Sequence, residues 1–91
     1  MGAIFEAIHH KLTEAFSPTR LEIADDSDRH AGHAGATPGG ESHFNVLIEA
    51  AAFAGLSKVV RQRLVYKALA VELAGPVHAL SVKALAPGEA D

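Results

Sequence analysis

The chain has 91 residues, 48% of them hydrophobic, with no cysteine, six histidines and a formal charge of −3 when the histidines are neutral. This length holds one domain, residues 1–91, which at this size buries only about 60–65% of its unfolded surface. The lack of cysteine excludes disulfides, thiolate-only zinc sites and thiol catalysis, and the negative balance gives no general attraction to nucleic acid or anionic lipid.

Ile4, Phe5, Ile8, Leu12, Ala15 and Phe16 recur at helical spacing, and Ser17-Pro18 supplies a stop, so the first segment is expected to form an amphipathic helix. It has no basic start and carries Glu6 and Glu14 inside its apolar pattern, unlike a cleaved signal peptide. No apolar run approaches the roughly 18 residues of a membrane span, and a soluble, cytoplasmic protein is the expectation. Arg20-Leu21-Glu22-Ile23 alternates, with Leu21 and Ile23 on one face, and predicts a short strand leading into the acidic run Asp25-Asp26-Ser27-Asp28.

Residues 29–41 hold four glycines and a proline without periodicity, which predicts a permissive loop over about 26–41. Phe44, Val46 and Ile48 then alternate with His43, Asn45 and Glu49, giving a half-buried strand antiparallel to the first. Ser57 is placed to cap a second helix that runs until Gly75-Pro76. Two seams, Val60-Leu64-Ala68 and Val65-Leu69-Leu73, lie on different sides of it and suggest contact with more than one element.

The last pattern, residues 77–85, predicts a strand with His78, Leu80 and Val82 on one face and Val77, Ala79 and Ser81 on the other. An acidic tail, about 86–91, is expected to fray. A helix between two strands requires a crossover and hence a parallel pair. The expected fold is therefore α+β in the order α-β-β-α-β, a three-stranded mixed sheet with both helices on one face.

Catalytic patterns are absent. No Ser-His-Asp order has supporting geometry, and GATPGG lacks the Lys-Ser/Thr and helix of a phosphate cradle, so an enzyme is not expected. His30 and His33 have HxxH spacing, but zinc or iron takes three or four ligands, and the incomplete set favours a site shared between molecules. His9 and His10 read as surface residues, and His43 as one that pairs across the hairpin without a functional role. Lys58, Arg61, Arg63 and Lys67 make the second helix the most basic part of the chain, either a solvated face or a surface for a partner's carboxylate or phosphate groups.

ESHF at 41–44, FAG at 53–55, RQRLVY at 61–66, ELAGPVHAL at 72–80 and the Pro87-containing tail, taken in this order, resemble the BolA family over nearly the whole chain. The resemblance implies a fold similar to class II KH domains and partnership with a monothiol glutaredoxin. In that scheme a [2Fe-2S] cluster is shared with the glutaredoxin and its glutathione. His78, in the position of the family's VHA histidine, is one ligand, and a loop histidine is the second. Counting from the acidic run points to His30, and counting back from ESHF points to His33, which is preferred because Gly32 and Gly35 let the backbone bend there.

The resemblance also implies that Arg61, Arg63 and Lys67 contribute to partner binding. One departure is Gln62, where relatives commonly have histidine; glutamine neither titrates near neutrality nor ligates metal well. The leading expectation is a non-enzymatic adaptor for iron–sulfur cluster trafficking or iron sensing, with no cofactor when isolated. The alternative is a transcriptional regulator that binds DNA weakly, against which stand the net charge and the few aromatic residues available for stacking. The chain alone is expected to be a monomer or a weak homodimer joined through a strand edge.

Overall fold

In the computed structural model of the protein, residues 2–25, 43–75 and 77–89 are described. Helix α1 (Ala3–Phe16) buries Ile8 and Leu12, one turn apart, and ends at Ser17, whose left-handed backbone (φ 47°) lets its N–H donate to the Thr13 carbonyl at 3.0 Å. Pro18 follows and cannot continue the helix. Strand β1 (Arg20–Asp25) starts where the Thr19 N–H and hydroxyl grip Glu49, at 2.8 Å to its carbonyl and 2.7 Å to its carboxylate.

Strand β2 (His43–Glu49) pairs antiparallel with β1, Leu21 against Ile48 and Ile23 against Val46. It pairs parallel with β3 (Ala79–Leu85), Phe44 against Leu80 and Val46 against Val82. The registers align every apolar alternate on one face. Among the described residues the sheet has three strands in the order β1-β2-β3, mixed as expected. Ile8, Leu12, Phe44, Val46, Ile48, Val65 and Leu69 form the core on the helical face. The opposite face is open, with a shallow depression among Glu22, Ala24, Asn45, Leu47, Ser81 and Lys83.

After β2 a short 3-10 turn, Ala51–Phe53, turns Phe53 fully inward against Phe16, ring centroids 5.0 Å apart. Ser57 caps α2 (Lys58–Ala68) as expected, its hydroxyl accepting from the Val60 N–H at 3.2 Å. The expected single helix to Gly75 is instead two. Helical geometry is interrupted at Leu69 (φ −106°, ψ 21°), and α3 (Ala70–Ala74) follows. No glycine or proline marks the change. It keeps the Leu69 N–H satisfied by both the Val65 and Tyr66 carbonyls while Leu69 and Glu72 turn inward. The seam through Val65, Leu69 and Leu73 is the core seam, whereas Val60 lies at the surface.

Two further expectations change near the end of the chain. Strand β3 begins at Ala79 with Leu80 and Val82 toward the core as predicted, but before it Val77, 3% exposed, enters the core while His78 stays outside, against the predicted alternation at these two positions. The tail expected to fray from residue 86 is held as far as Glu89: Ala86 is buried, and its N–H donates to the Glu89 carboxylate at 2.9 Å. Among the described residues no helix is long and apolar enough to cross a membrane.

Candidate functional site

His78 stands just before β3, and its imidazole is exposed and makes no hydrogen bond among the described residues. Its backbone, in contrast, is confined. The neighbouring Val77 N–H donates to the Glu72 carbonyl at 3.0 Å, and Leu80 is registered against Phe44. The same register puts His43 opposite Ala79, so the half-buried His43 ring comes to 6.3 Å from that of His78, centroid to centroid. Sequence reading gave His43 no functional role. The signal that finds it is the parallel register: matching Phe44-Val46-Ile48 with Leu80-Val82-Ala84 brings the two histidines to one end of the sheet.

His30 and His33 lie outside the described residues; by chain connectivity their segment enters β2 at His43. Among the described residues no group of three or more histidines or carboxylates could hold a metal ion. The described part of the site therefore offers exposed imidazole and no complete ligand set of its own.

The basic helix divides into two kinds of cation. Arg61, expected at the docking surface, is 6% exposed and makes its hydrogen bonds within the chain. Its Nε donates to the Leu56 carbonyl at 3.0 Å, Nη1 to the Ala84 carbonyl at 3.1 Å and to Glu89 Oε1 at 2.5 Å, and Nη2 to Glu89 Oε2 at 3.0 Å. Such a fork ties the start of α2 to the end of β3, so in this chain Arg61 acts as a staple of the fold. The guanidinium, helped by the Ala86 N–H, holds the Glu89 carboxyl down at about 2, against the opposing effect of burial; Glu89 in turn raises the pKa of Arg61. Arg63 and Lys67 are exposed, and Gln62 is exposed with its amide 3.5 Å from the Val82 carbonyl.

A second ion pair escaped sequence reading. Lys11 on α1 donates to both carboxylate oxygens of the buried Glu72 at 2.9 and 2.8 Å, closing α1 against α3 just behind the Val77–His78 segment. Glu72 sits inside the apolar ELAG stretch, a place where a carboxylate is kept only with a partner.

Residues 12–89 match the BolA family, described as BolA-like protein. The chain belongs to the BolA family. It is 46% identical over 89 residues to human BolA-like protein 1, covering 98% of this chain and 62% of the human protein, so it spans about three-fifths of that relative. The solved BolA domain of SufE1 from Arabidopsis thaliana matches with a TM-score of 0.87 and 42% identity, over 99% of each chain. A Vibrio cholerae protein named DNA-binding transcriptional regulator BolA is 42% identical over 79 residues, 87% of this chain and 71% of that protein. These similarities make the mixed three-stranded sheet and its covering helices a BolA fold. The KH-like description remains an implication of the sequence resemblance.

Proposed function

We propose that this BolA family member is a non-enzymatic adaptor that binds a monothiol glutaredoxin and shares with it a bridging [2Fe-2S] cluster, for cluster trafficking or iron sensing. The observation that carries this reading is the exposed His78 imidazole, uncommitted among the described residues yet set on a backbone confined by Glu72 and Phe44. A bridging cluster asks one chain for one or two ligands, which fits a chain without cysteine and with no complete ligand group in its described part. His78 is the first ligand and a loop histidine, His33 or His30, the second, with thiolates supplied by the glutaredoxin and glutathione. When bound, the cluster supplies iron that imidazole holds at a raised reduction potential relative to thiolate. The exposed Arg63 and Lys67 are the cations open to the partner's acidic groups.

The test is anaerobic reconstitution with a monothiol glutaredoxin, glutathione, iron and sulfide, read by visible circular dichroism. The mixed complex should differ from the glutaredoxin alone and should lose that difference with His78→Ala; His33→Ala and His30→Ala identify the second ligand. An unchanged spectrum on mixing, or one indifferent to His78, rejects the reading.

A second reading, binding of DNA, is favoured by the name of the Vibrio cholerae relative and by the exposed Lys58, Arg63, Lys67 and Lys83. Contacts to phosphates predict an affinity for duplex DNA that falls steeply with salt, about 0.9 decade per decade of salt for each phosphate neutralised. A flat salt dependence removes this reading.

A further inference from the structure

The RQRLVY motif is left unexplained by a docking role, because its first arginine is buried. Its side chains have a common geometric target. Strand β3 is at the sheet edge, and three alternate carbonyls, those of Leu80, Val82 and Ala84, each face a donor on α2. The Tyr66 hydroxyl donates to Leu80 at 3.2 Å, the Gln62 amide approaches Val82 at 3.5 Å, and Arg61 Nη1 donates to Ala84 at 3.1 Å. The next alternate position, Ala86, gives its N–H to Glu89. Odd-numbered residues face the sheet, as the Leu85 carbonyl shows by accepting from the Ala50 N–H at 3.0 Å. Three outward carbonyls of this edge and the Ala86 N–H are thus met by α2 and the tail.

The rungs are not equivalent in what they hold. Arg61 secures the far end of β3, and Gln62 makes the longest contact of the three, in the middle. Tyr66 acts two residues from His78. Together with the Val77–Glu72 bond it brackets His78 between two fixed backbone points, one at 77 and one at 80, although the imidazole itself is exposed. An exposed ligand on a bracketed backbone combines access with a small ordering cost, the advantage that outer-shell groups give to metal ligands.

We propose that Tyr66 is a positioning residue for His78, fixing through the Leu80 carbonyl the end of β3 on which that imidazole is presented. The inference deepens the shared-cluster reading and rests on it for its purpose, but the geometric claim concerns the chain alone. Removing only the hydroxyl, with Tyr66→Phe, leaves the ring and its packing in place. Gln62→Ala removes the middle rung and serves as the control.

The experiment uses the isolated, metal-free protein labelled with nitrogen-15. His78 ring signals are compared at one fixed pH, and amide hydrogen exchange is followed at Ala79 and Ser81. With Tyr66→Phe the Ala79 amide should exchange several-fold faster and the His78 ring signals, compared at one fixed pH, should shift, while the thermal midpoint changes little; Gln62→Ala should leave both readouts in place. If Tyr66→Phe leaves the His78 ring signals and Ala79 exchange as in the wild type, the proposal is wrong. If Gln62→Ala moves them equally, the effect belongs to the edge as a whole and Tyr66 has no special role.

Reconstitution with the glutaredoxin separates this proposal from the functional reading. A cluster spectrum insensitive to His78→Ala defeats the functional reading, whatever the metal-free measurements give. A spectrum sensitive to His78→Ala but unmoved by Tyr66→Phe, with the metal-free signals also unmoved, defeats the positioning role alone.

Discussion

The two ends of β3 carry their polar chemistry in opposite ways. At the C-terminal end Arg61 is buried and gives hydrogen bonds to two backbone carbonyls and to both oxygens of Glu89. At the N-terminal end His78 is exposed, beside a second histidine, with its ring uncommitted to any hydrogen bond among the described residues. A buried cation is tolerable only when it is paired and hydrogen-bonded, so this internal matching marks the end that holds the fold. Unspent ligating capacity on a confined backbone marks the end that can hold something else.

The contrast assigns the largest stability effect to Arg61. Arg61→Ala takes the guanidinium donors from the Leu56 and Ala84 carbonyls and from the Glu89 carboxylate, which keeps only the Ala86 N–H, and a lysine cannot replace the two-pronged contact. The thermal midpoint should drop by a clear margin in both Arg61→Ala and Arg61→Lys, more for alanine, with the Glu89 carboxyl moving back toward its ordinary 4.5. The His78 ring signals should stay in place if the two ends are independent. A variant as stable as the wild type would show that Arg61 is not the staple its geometry describes.

Next in size is the pH dependence of the same end. The Glu89 carboxyl is lowered from 4.5 to about 2 in the folded chain, so the folded state favours its charged form. Its contribution is therefore fully present above about 4.5 and is lost as the pH falls toward 2. Glu89→Gln should be less stable than the wild type near neutrality, and the two melting curves should converge between those limits. A constant difference across that window would mean that Glu89 acts through packing and not through its charge.

A smaller effect is expected on the outer surface of α2. Arg63→Glu with Lys67→Glu changes two exposed side chains, so stability should shift by no more than about 0.5 kcal/mol per site. The proposed binding to a monothiol glutaredoxin should weaken on the order of tenfold, mainly through slower association, and more at low salt than at high. Titration calorimetry at two salt concentrations reads this directly. Equal affinity for the variant and the wild type would leave the basic helix a solvated face.

Much of this division was legible in the sequence, and the rest fails for identifiable reasons. The apolar alternations of β1 and β2 and the cap at Ser57 are local patterns, and each produced its element. The turn at Leu69 has no local breaker and arises from burying Leu69 and Glu72 together, which no short window reveals. Arg61 was grouped with Arg63 because a cation's burial depends on Ala84 and Glu89, more than twenty residues away. His78 was found through the family resemblance alone, and its predicted side was reversed: Val77 competes for the core and wins, leaving the histidine outside. His43 was passed over because its nearness to His78 exists only once the parallel register is known.

The smallest stability effect belongs to the residue on which the proposed function rests. His78→Ala removes a side chain that touches water and one neighbouring ring, and the Val77 and Leu80 anchors on either side are backbone groups that alanine leaves intact. Its free energy of unfolding should lie within about 0.5 kcal/mol of the wild type, measured by urea titration of the metal-free chain. The same variant should abolish the distinctive spectrum of the glutaredoxin complex. Normal stability with a lost spectrum places the imidazole's value outside the fold, in what it binds; a large loss of stability would instead make His78 a second staple and erase the difference between the two ends of the strand.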